Sequence, residues 1–266
     1  MKIMGILNVT PDSFSDGGKW TSEAALEQRI DQLIAEGADI IDVGGESTRP
    51  FAKPVAVAEE LQRVIPAIRK IRRKSGTPIS IDTTKAIVAR EAIDAGATMI
   101  NDISALRQDP EMIEVVKSFE GQVVIMHMQG TPGDMQLDPH YGDVIAEINS
   151  FFAERIEWLE HCGVERSRII VDPGIGFGKI LEHNLAILRN ISSFKGHGCP
   201  VLIGHSRKSF LGQLLELPVE ERDWPTALAS AFVEKGGADI IRVHQVGVTI
   251  KALRLMRELE GEGEGV

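Results

Sequence analysis

The chain of 266 residues has little cysteine, no surplus of positive charge and no long apolar run. Two cysteines, Cys162 and Cys199, give no disulfide framework; they read as ordinary thiols near helix or strand ends and fit a reducing cytoplasm. Asp and Glu number 39 against 29 Lys and Arg, a formal net charge of -10. Polyanion binding needs the opposite balance, which argues against nucleic acid and anionic membrane as partners. A small anionic substrate stays compatible wherever a few cations gather. Apolar runs reach only about five residues, far short of a membrane span. The N-terminus lacks a signal-peptide apolar core.

What is present is ordinary in bulk and regular in order. Hydrophobic residues make up 43% and charged residues 26%, as in soluble globular proteins. The length suits a single α/β barrel, which needs about 250 residues. The stretch Ile3–Leu7 reads as a buried strand that breaks at Asn8 into a loop rich in hydroxyls, aspartates and glycine, with one aromatic, Phe14. A helix is expected over 21–36, capped by Thr21 or Ser22 and stopped by Gly37. Further strands are expected at 39–43, 78–81, 98–100, 122–126, 168–171, 200–203 and 239–241. Between them the apolar spacing predicts helices over 57–74, 85–95, near 110–119, 143–161 and 182–191, one or two across 209–235, and a last one over 247–259. Pro66 should kink the second. A Gly-Ala junction recurs before three strands, at Gly37-Ala38, Gly96-Ala97 and Gly237-Ala238, where glycine supplies a positive-φ helix stop.

Eight short apolar strands, each followed by a helix, indicate a parallel sheet covered on its outer face. The expected fold is a single-domain (β/α)8 TIM barrel over 1–260, followed by a disordered Gly/Glu tail over 261–266. A doubly wound open sheet is the weaker alternative, because no Gly-x-Gly-x-x-Gly follows the first strand.

In such a barrel the chemistry lies at the C-terminal strand ends. Those ends read Asn8, Asp42, Asp82, Asn101-Asp102, His127, Asp172, Ser206–Lys208 and Arg242–His244. One such residue, Asp42 or Asp102 for example, is by itself better explained as a helix cap or loop anchor. Eight together suggest a polar ring over one pit. Lys208, Arg242 and His244 gather after the seventh and eighth strands, where barrels often hold phosphate, while Asp82, Asn101 and Asp172 form a carboxylate and carboxamide pole. Carboxylate and Asn groups can pair with the edge of a nitrogen heterocycle. Lys208 could serve either pole. Asn8 offers a hard oxygen suited to Mg2+ on a diphosphate. His127 reads as structural or supporting, and His140, His161, His183 and His197 as surface or packing residues without partners. Glu59-Glu60 and Glu220-Glu221 read as solvated helix faces or starts.

Two stretches, Met4–Gly18 and Ile41–Pro50, closely resemble the signatures of the dihydropteroate synthase family. Ile81–Thr83, Ile100–Asp102, Met126–Gly130, Asp172–Lys179, Ser206–Lys208 and Arg242–His244 are similar to further motifs of that family, in order, over nearly the whole chain. The resemblance implies a folate-biosynthesis transferase joining 4-aminobenzoate to (7,8-dihydropterin-6-yl)methyl diphosphate. By position, Asp82, Asn101, Asp172 and Lys208 would hold the pterin between Met126 and Phe177. Asn8, Thr48, Arg242 and His244 would hold diphosphate, with Mg2+ on Asn8. Phe14, Ser15, Asp16, Thr48, Arg49 and Pro50 would close over an aminobenzoate pocket flanked by Ser206. Asp82, Lys208, Arg242 and His244 would carry catalysis.

The mechanism so implied is dissociative, with no covalent enzyme intermediate, and the loop over 9–18 would order only on pterin. The resemblance further implies sulfonamide competition, a cytoplasmic enzyme and a homodimer through 209–259. The chain departs from the pattern in two places. Only Met1-Lys2 precede the first strand where many relatives carry a hairpin, so the barrel bottom should be more open or covered by side chains. Gln245 follows His244 where the pattern implies Asp, and His205 belongs to no motif. A pterin-dependent methyltransferase domain and a non-catalytic pterin-binding paralogue are the competing readings; the first lacks the opening signature, and the second should have lost diphosphate-binding or loop residues that are present here.

Overall fold

The computed structural model describes residues 1–10, 19–47, 52 and 54–261, with backbone only at 19–22. Its strands are Lys2–Asn8 (β1), Ile40–Gly44 (β2), Ile79–Asp82 (β3), Met99–Asp102 (β4), Gln122–Met126 (β5), Ile169–Asp172 (β6), Leu202–Ile203 (β7) and Ile240–Val243 (β8). The helices between and after them are Lys19–Ala35 (α1), Val57–Lys74 (α2), Ala86–Asp94 (α3), Met112–Ser118 (α4), Val144–His161 (α5), Leu181–Arg189 (α6), Ser209–Leu215 (α7), Asp223–Lys235 (α8) and Val246–Glu260 (α9). The eight strands are hydrogen-bonded in the order β6-β5-β4-β3-β2-β1-β8-β7, all parallel. A parallel bridge between Val171 and Val201 joins the two ends and closes the ring. This is the expected (β/α)8 barrel rather than an open sheet.

Alternation along each strand sorts the side chains. Ile3, Ile41, Ile79, Ile81, Ile100, Val123, Ile125, Val171 and Ile241 face outward into the shell of helices. Met4, Ile40, Met99, Val124, Ile170, Leu202 and Ile240 face inward as a separate layer, each at most 4% exposed. Burial of each such side chain stabilises by about 1.5–3 kcal/mol. They fill the lower barrel, so the bottom is covered by side chains. Asp42, Asn101, Asp172 and Arg242 lie on the same inward face, each two residues further along its strand.

The Gly-Ala junctions behave as the pattern requires: Gly37, Gly96 and Gly237 have φ of 83°, 117° and 91°. Several boundaries differ from the sequence reading. Helix α1 begins at Lys19, so Thr21 and Ser22 lie inside its first turn rather than ahead of it. β7 is only two residues long, because Pro200 has no N–H to pair and Val201 gives its N–H to the Asp239 carboxylate at 2.8 Å. α6 stops at Arg189 and passes into a 3-10 turn over Ile191–His197. α2 runs on through Pro66. α9 ends on Gly261 in the left-handed region, and the rest of the anticipated tail, 262–266, lies outside the described residues.

Candidate active site

The pit at the top of the barrel is organised around Arg242. Its Nε donates to Asp42 Oδ2 at 2.6 Å and its Nη2 to Asp82 Oδ2 at 2.8 Å. Asn101 Nδ2 donates to the same Asp42 oxygen at 3.3 Å. Four strands thus contribute to one buried network. The two poles expected from sequence are therefore not separate: Arg242 sits among the carboxylates and neutralises them. Asp42 is not a helix cap. It lies on the inward face between Ile40 and Gly44 and is fully buried. Asp102, of opposite parity to Asn101, points outward and does act as a loop anchor, accepting from the Ser104 and Leu106 N–H groups at 2.7 and 3.1 Å.

Asn8 and Asp82 face one another across β2. A methyl group on Gly44 would lie 3.6 Å from Asp82 Oδ2 and 3.7 Å from Asn8 Oδ1, so glycine keeps that space open. Burial, with the Asp42 carboxylate close by, pushes the Asp82 carboxyl above the usual carboxylate range against the pull of Arg242.

Lys208 and Asp172 form the opposite wall. Lys208 Nζ lies 4.0 Å from the centroid of the Phe177 ring, a cation–π contact. Burial and the Arg242 charge lower the Lys208 pKa to about 8. Burial raises Asp172 to about 6, although its Oδ1 accepts from the Gly174 N–H at 2.8 Å. Met126 and Phe177 belong to one buried apolar cluster with Ile103, Met128 and Met135. The last three were not identified as site residues from the sequence. Gly174 is fixed by geometry: its φ is 72°, and a Cβ there would lie 2.0 Å from the His127 carbonyl oxygen.

Ser206 and His244 complete the rim. Ser206 Oγ accepts the His244 backbone N–H at 3.1 Å and lies at hydrogen-bond distance, 2.9 Å, from His244 Nδ1. Burial, together with Arg207, Arg242, Arg29 and Lys208, drives the His244 pKa down to about 2, so the ring donates as a neutral group. Arg29 on α1 donates to the His244 carbonyl. Ser206 and Arg29 therefore orient His244, and Gln245 instead stands before α9 and gives its carbonyl to Thr249.

Two further networks support the pit. Lys179 Nζ, buried, contacts His127 Nδ1 at 3.0 Å, the Phe177 carbonyl at 2.9 Å and the His127 carbonyl at 3.3 Å. Burial lowers Lys179 to about 7 and His127 to about 2. Glu60, expected on a solvated face, is fully buried: it accepts from Thr83 Oγ1 at 2.7 Å and pairs with Lys85, which also pairs with Glu46 below the second signature loop. Its place was legible, since Glu60 shares a helix face with Val64, Ala67, Ile68 and Ile71. His205 turns away from the pit, its Nε2 meeting the Thr226 carbonyl and Ser230 Oγ on α8. The histidines read as lacking partners do have them: His197 meets Asn149 at 2.9 Å, His161 meets the Glu157 carbonyl at 2.7 Å and His183 packs edge-on against Tyr141. Phe14, Ser15, Asp16, Thr48, Arg49 and Pro50 lie outside the described residues.

A (β/α)8 barrel with amide, carboxylate and ammonium groups around an apolar-walled pit defines a binder of flat nitrogen heterocycles. Residues 4–244 match the pterin binding enzyme family. A dihydropteroate synthase of Escherichia coli (strain K12) is 46% identical over 254 residues, covering 96% of this chain and 90% of that one. The structure of Xanthomonas albilineans dihydropteroate synthase with 4-aminobenzoic acid superposes with a TM-score of 0.91 at 44% identity, covering 97% of this chain and 93% of that one. The same organism's enzyme in complex with 7,8-dihydropteroate gives 0.88 at 41%, again covering 97% and 93%. The chain belongs to the pterin binding enzyme family and, within it, to the dihydropteroate synthases.

Proposed function

We propose that this transferase joins 4-aminobenzoate to (7,8-dihydropterin-6-yl)methyl diphosphate, giving 7,8-dihydropteroate and diphosphate. The observation that carries the reading is the Arg242–Asp42–Asp82–Asn101 network facing Lys208, Phe177 and Asp172 across one pit. Asp82, Asn101 and Asp172 would pair with the N–H and C=O edge of the pterin, Met126 and Phe177 would pack on its faces, and Lys208 would reach an acceptor on its ring.

An aromatic amine is a weak nucleophile, so the difficult event is departure of diphosphate. Arg242 and His244, with Ser206 donating to its Nδ1 and the ring proton on Nε2, would be the donors to the growing negative charge. The dihydropterin ring supplies the electrons, and the Asp82 carboxyl would stabilise the cationic methylene left behind. The mechanism is then dissociative, with no covalent link to a side chain. Thr48, Arg49 and Pro50, with Phe14, Ser15 and Asp16, would close the aminobenzoate side, next to Ser206.

Among the described residues no group of three His, Cys, Asp or Glu side chains could hold a metal ion. The donor set fits Mg2+ that arrives on the diphosphate, with the Asn8 amide oxygen as its protein ligand. Bound there, Mg2+ would neutralise leaving-group charge. The net charge of -10 speaks against nucleic acid as a partner. Cys162 and Cys199 are both free, which suits a reducing cytoplasm. No helix among the described residues is long and apolar enough to cross a membrane. A second copy of the chain would cover the exposed stripe Trp224, Leu228 and Phe232 on α8 and the neighbouring Val248 and Leu255 on α9.

The test is diphosphate release measured with each component omitted in turn. Release that requires both 4-aminobenzoate and Mg2+ is expected, with competition by sulfonamides. Pterin binding without release would leave only a pterin-binding protein.

A further inference from the structure

Between β7 and α7 the chain makes a four-residue turn, His205–Lys208, closed by the Lys208 N–H to the His205 carbonyl at 3.3 Å. Its side chains alternate in destination. Ser206 and Lys208 go to the pit, against His244 and Phe177. His205 and Arg207 go to α8. Arg207, third in the turn, has a φ of 57°. Turns with a positive φ at that place are normally built with glycine or asparagine, because a larger side chain brings Cβ against the following carbonyl. Here the residue is arginine, next to two residues of the pit.

What holds this conformation is visible. Arg207 Nε and Nη2 donate to both oxygens of Asp223 at 2.6 and 2.7 Å, a bidentate pair. The Arg207 N–H donates to Thr226 Oγ1 at 3.0 Å, and Arg222 donates to the Arg207 carbonyl at 3.3 Å. All three anchors lie on α8 or at its start. None of the chemistry proposed for the pit uses them. An unfavoured backbone conformation persists only where its surroundings hold it in place, and such outliers gather at functional sites.

We propose that Arg207 and Asp223 are a positioning pair: their contact holds the left-handed turn that sets the Lys208 ammonium over Phe177 and the Ser206 hydroxyl on His244. Asp223 lies 16 residues after Arg207 and carries no motif. The kinetic part of the test rests on the pterin reading of the pit; the spectroscopic part does not.

Replacing Arg207 by alanine removes the anchor and keeps the unfavoured φ. Replacing it by glycine removes both. The proposal therefore predicts an order opposite to side-chain size. In assays well below the thermal midpoint of each variant, R207A should raise the KM for the pterin substrate about tenfold and lower kcat as His244 loses Ser206, and R207G should change each by about threefold or less. D223A should resemble R207A alone, yet add under about twofold to R207G, since glycine no longer needs the anchor. With lysines labelled by reductive 13C-methylation, the Lys208 methyl signals should carry a ring-current shift from Phe177 that R207A loses and R207G keeps. Equal KM values and unshifted Lys208 signals in R207A and R207G would overturn the proposal. So would a D223A effect that persists undiminished in the R207G background. If wild type gave no turnover while the Lys208 signals followed the predicted order, the positioning pair would stand and the synthase reading would fall.

Discussion

Arg242 is the residue on which the pit turns. It brings one positive charge to two buried carboxylates, and either carboxylate alone would be costly to ionise there. Removing one member of such a group leaves an unpaired buried charge, which costs about 3–5 kcal/mol. R242A should lose stability of that order in urea unfolding, and a loss below about 1 kcal/mol would show that the carboxylates do not depend on it. Lys208 carries a separate pH signature. Burial holds its pKa near 8, below the ordinary lysine value, so folding favours the neutral form. Its contribution to stability is present above the unfolded lysine pKa and is lost as pH falls through 8. Its charge, the part that binding uses, is lost as pH rises through 8. The kcat/KM for the pterin substrate should therefore fall on an alkaline limb near 8, and K208R, whose guanidinium stays charged, should remove that limb. At this scale the residues at which motif and strand end coincide, Asp82, Asn101, Asp172, Lys208 and His244, all lie around the pit. Sequence reading undervalued Asp42, although the rule that placed it was available: Asp42 is two residues from Ile40 and two from Gly44, and so inward. The same parity puts Asp102 outward. Which group Arg242 would face was not legible, because its partners lie 160 and 200 residues away.

At the scale of elements, the loops over the pit are held from below by groups that belong to helices and strands. Glu60 enters from α2, takes the Thr83 hydroxyl and pairs with Lys85, which reaches Glu46 at the root of the second signature loop. K85M should leave Glu60 buried with only Thr83, lowering stability by about 3 kcal/mol. Urea unfolding measures it, and an unchanged midpoint would assign Lys85 to the solvent. Lys179 does the parallel work for the β6–α6 connection, tying the Phe177 carbonyl to the end of β5. Helix and strand order was legible because short apolar runs alternate with helical spacing along the chain, with a glycine stop before three of the strands. Boundaries were less so: α1 starts before its expected caps, and a proline shortens β7. At β7 a tertiary contact adds to the proline: the Asp239 carboxylate takes the Val201 N–H, which no local pattern announces.

At the scale of the whole molecule, the barrel separates stability from chemistry. Its lower interior is an apolar layer drawn from seven strands, and its upper interior is polar. Trp224, Leu228 and Phe232 recur every fourth residue on α8 and are 54–61% exposed, beside α9, against which α8 packs. Such a stripe suits a second copy, so the protein should sediment as a dimer and L228E as a monomer; a wild-type monomer would contradict this. The overall architecture was readable from eight βα periods, whereas the apolar stripe was not singled out, since helical spacing alone does not tell a core face from an interface. The central claim is that one pit binds the pterin by its edge and delivers the diphosphate arm to the rim. A structure of the complex with the pterin diphosphate tests it most directly. The ring edge should lie against Asp82, Asn101 and Asp172, with Lys208 on the ring and the diphosphate at His244 and Asn8. A pterin bound outside the barrel mouth, or one whose diphosphate points away from His244, would contradict the account.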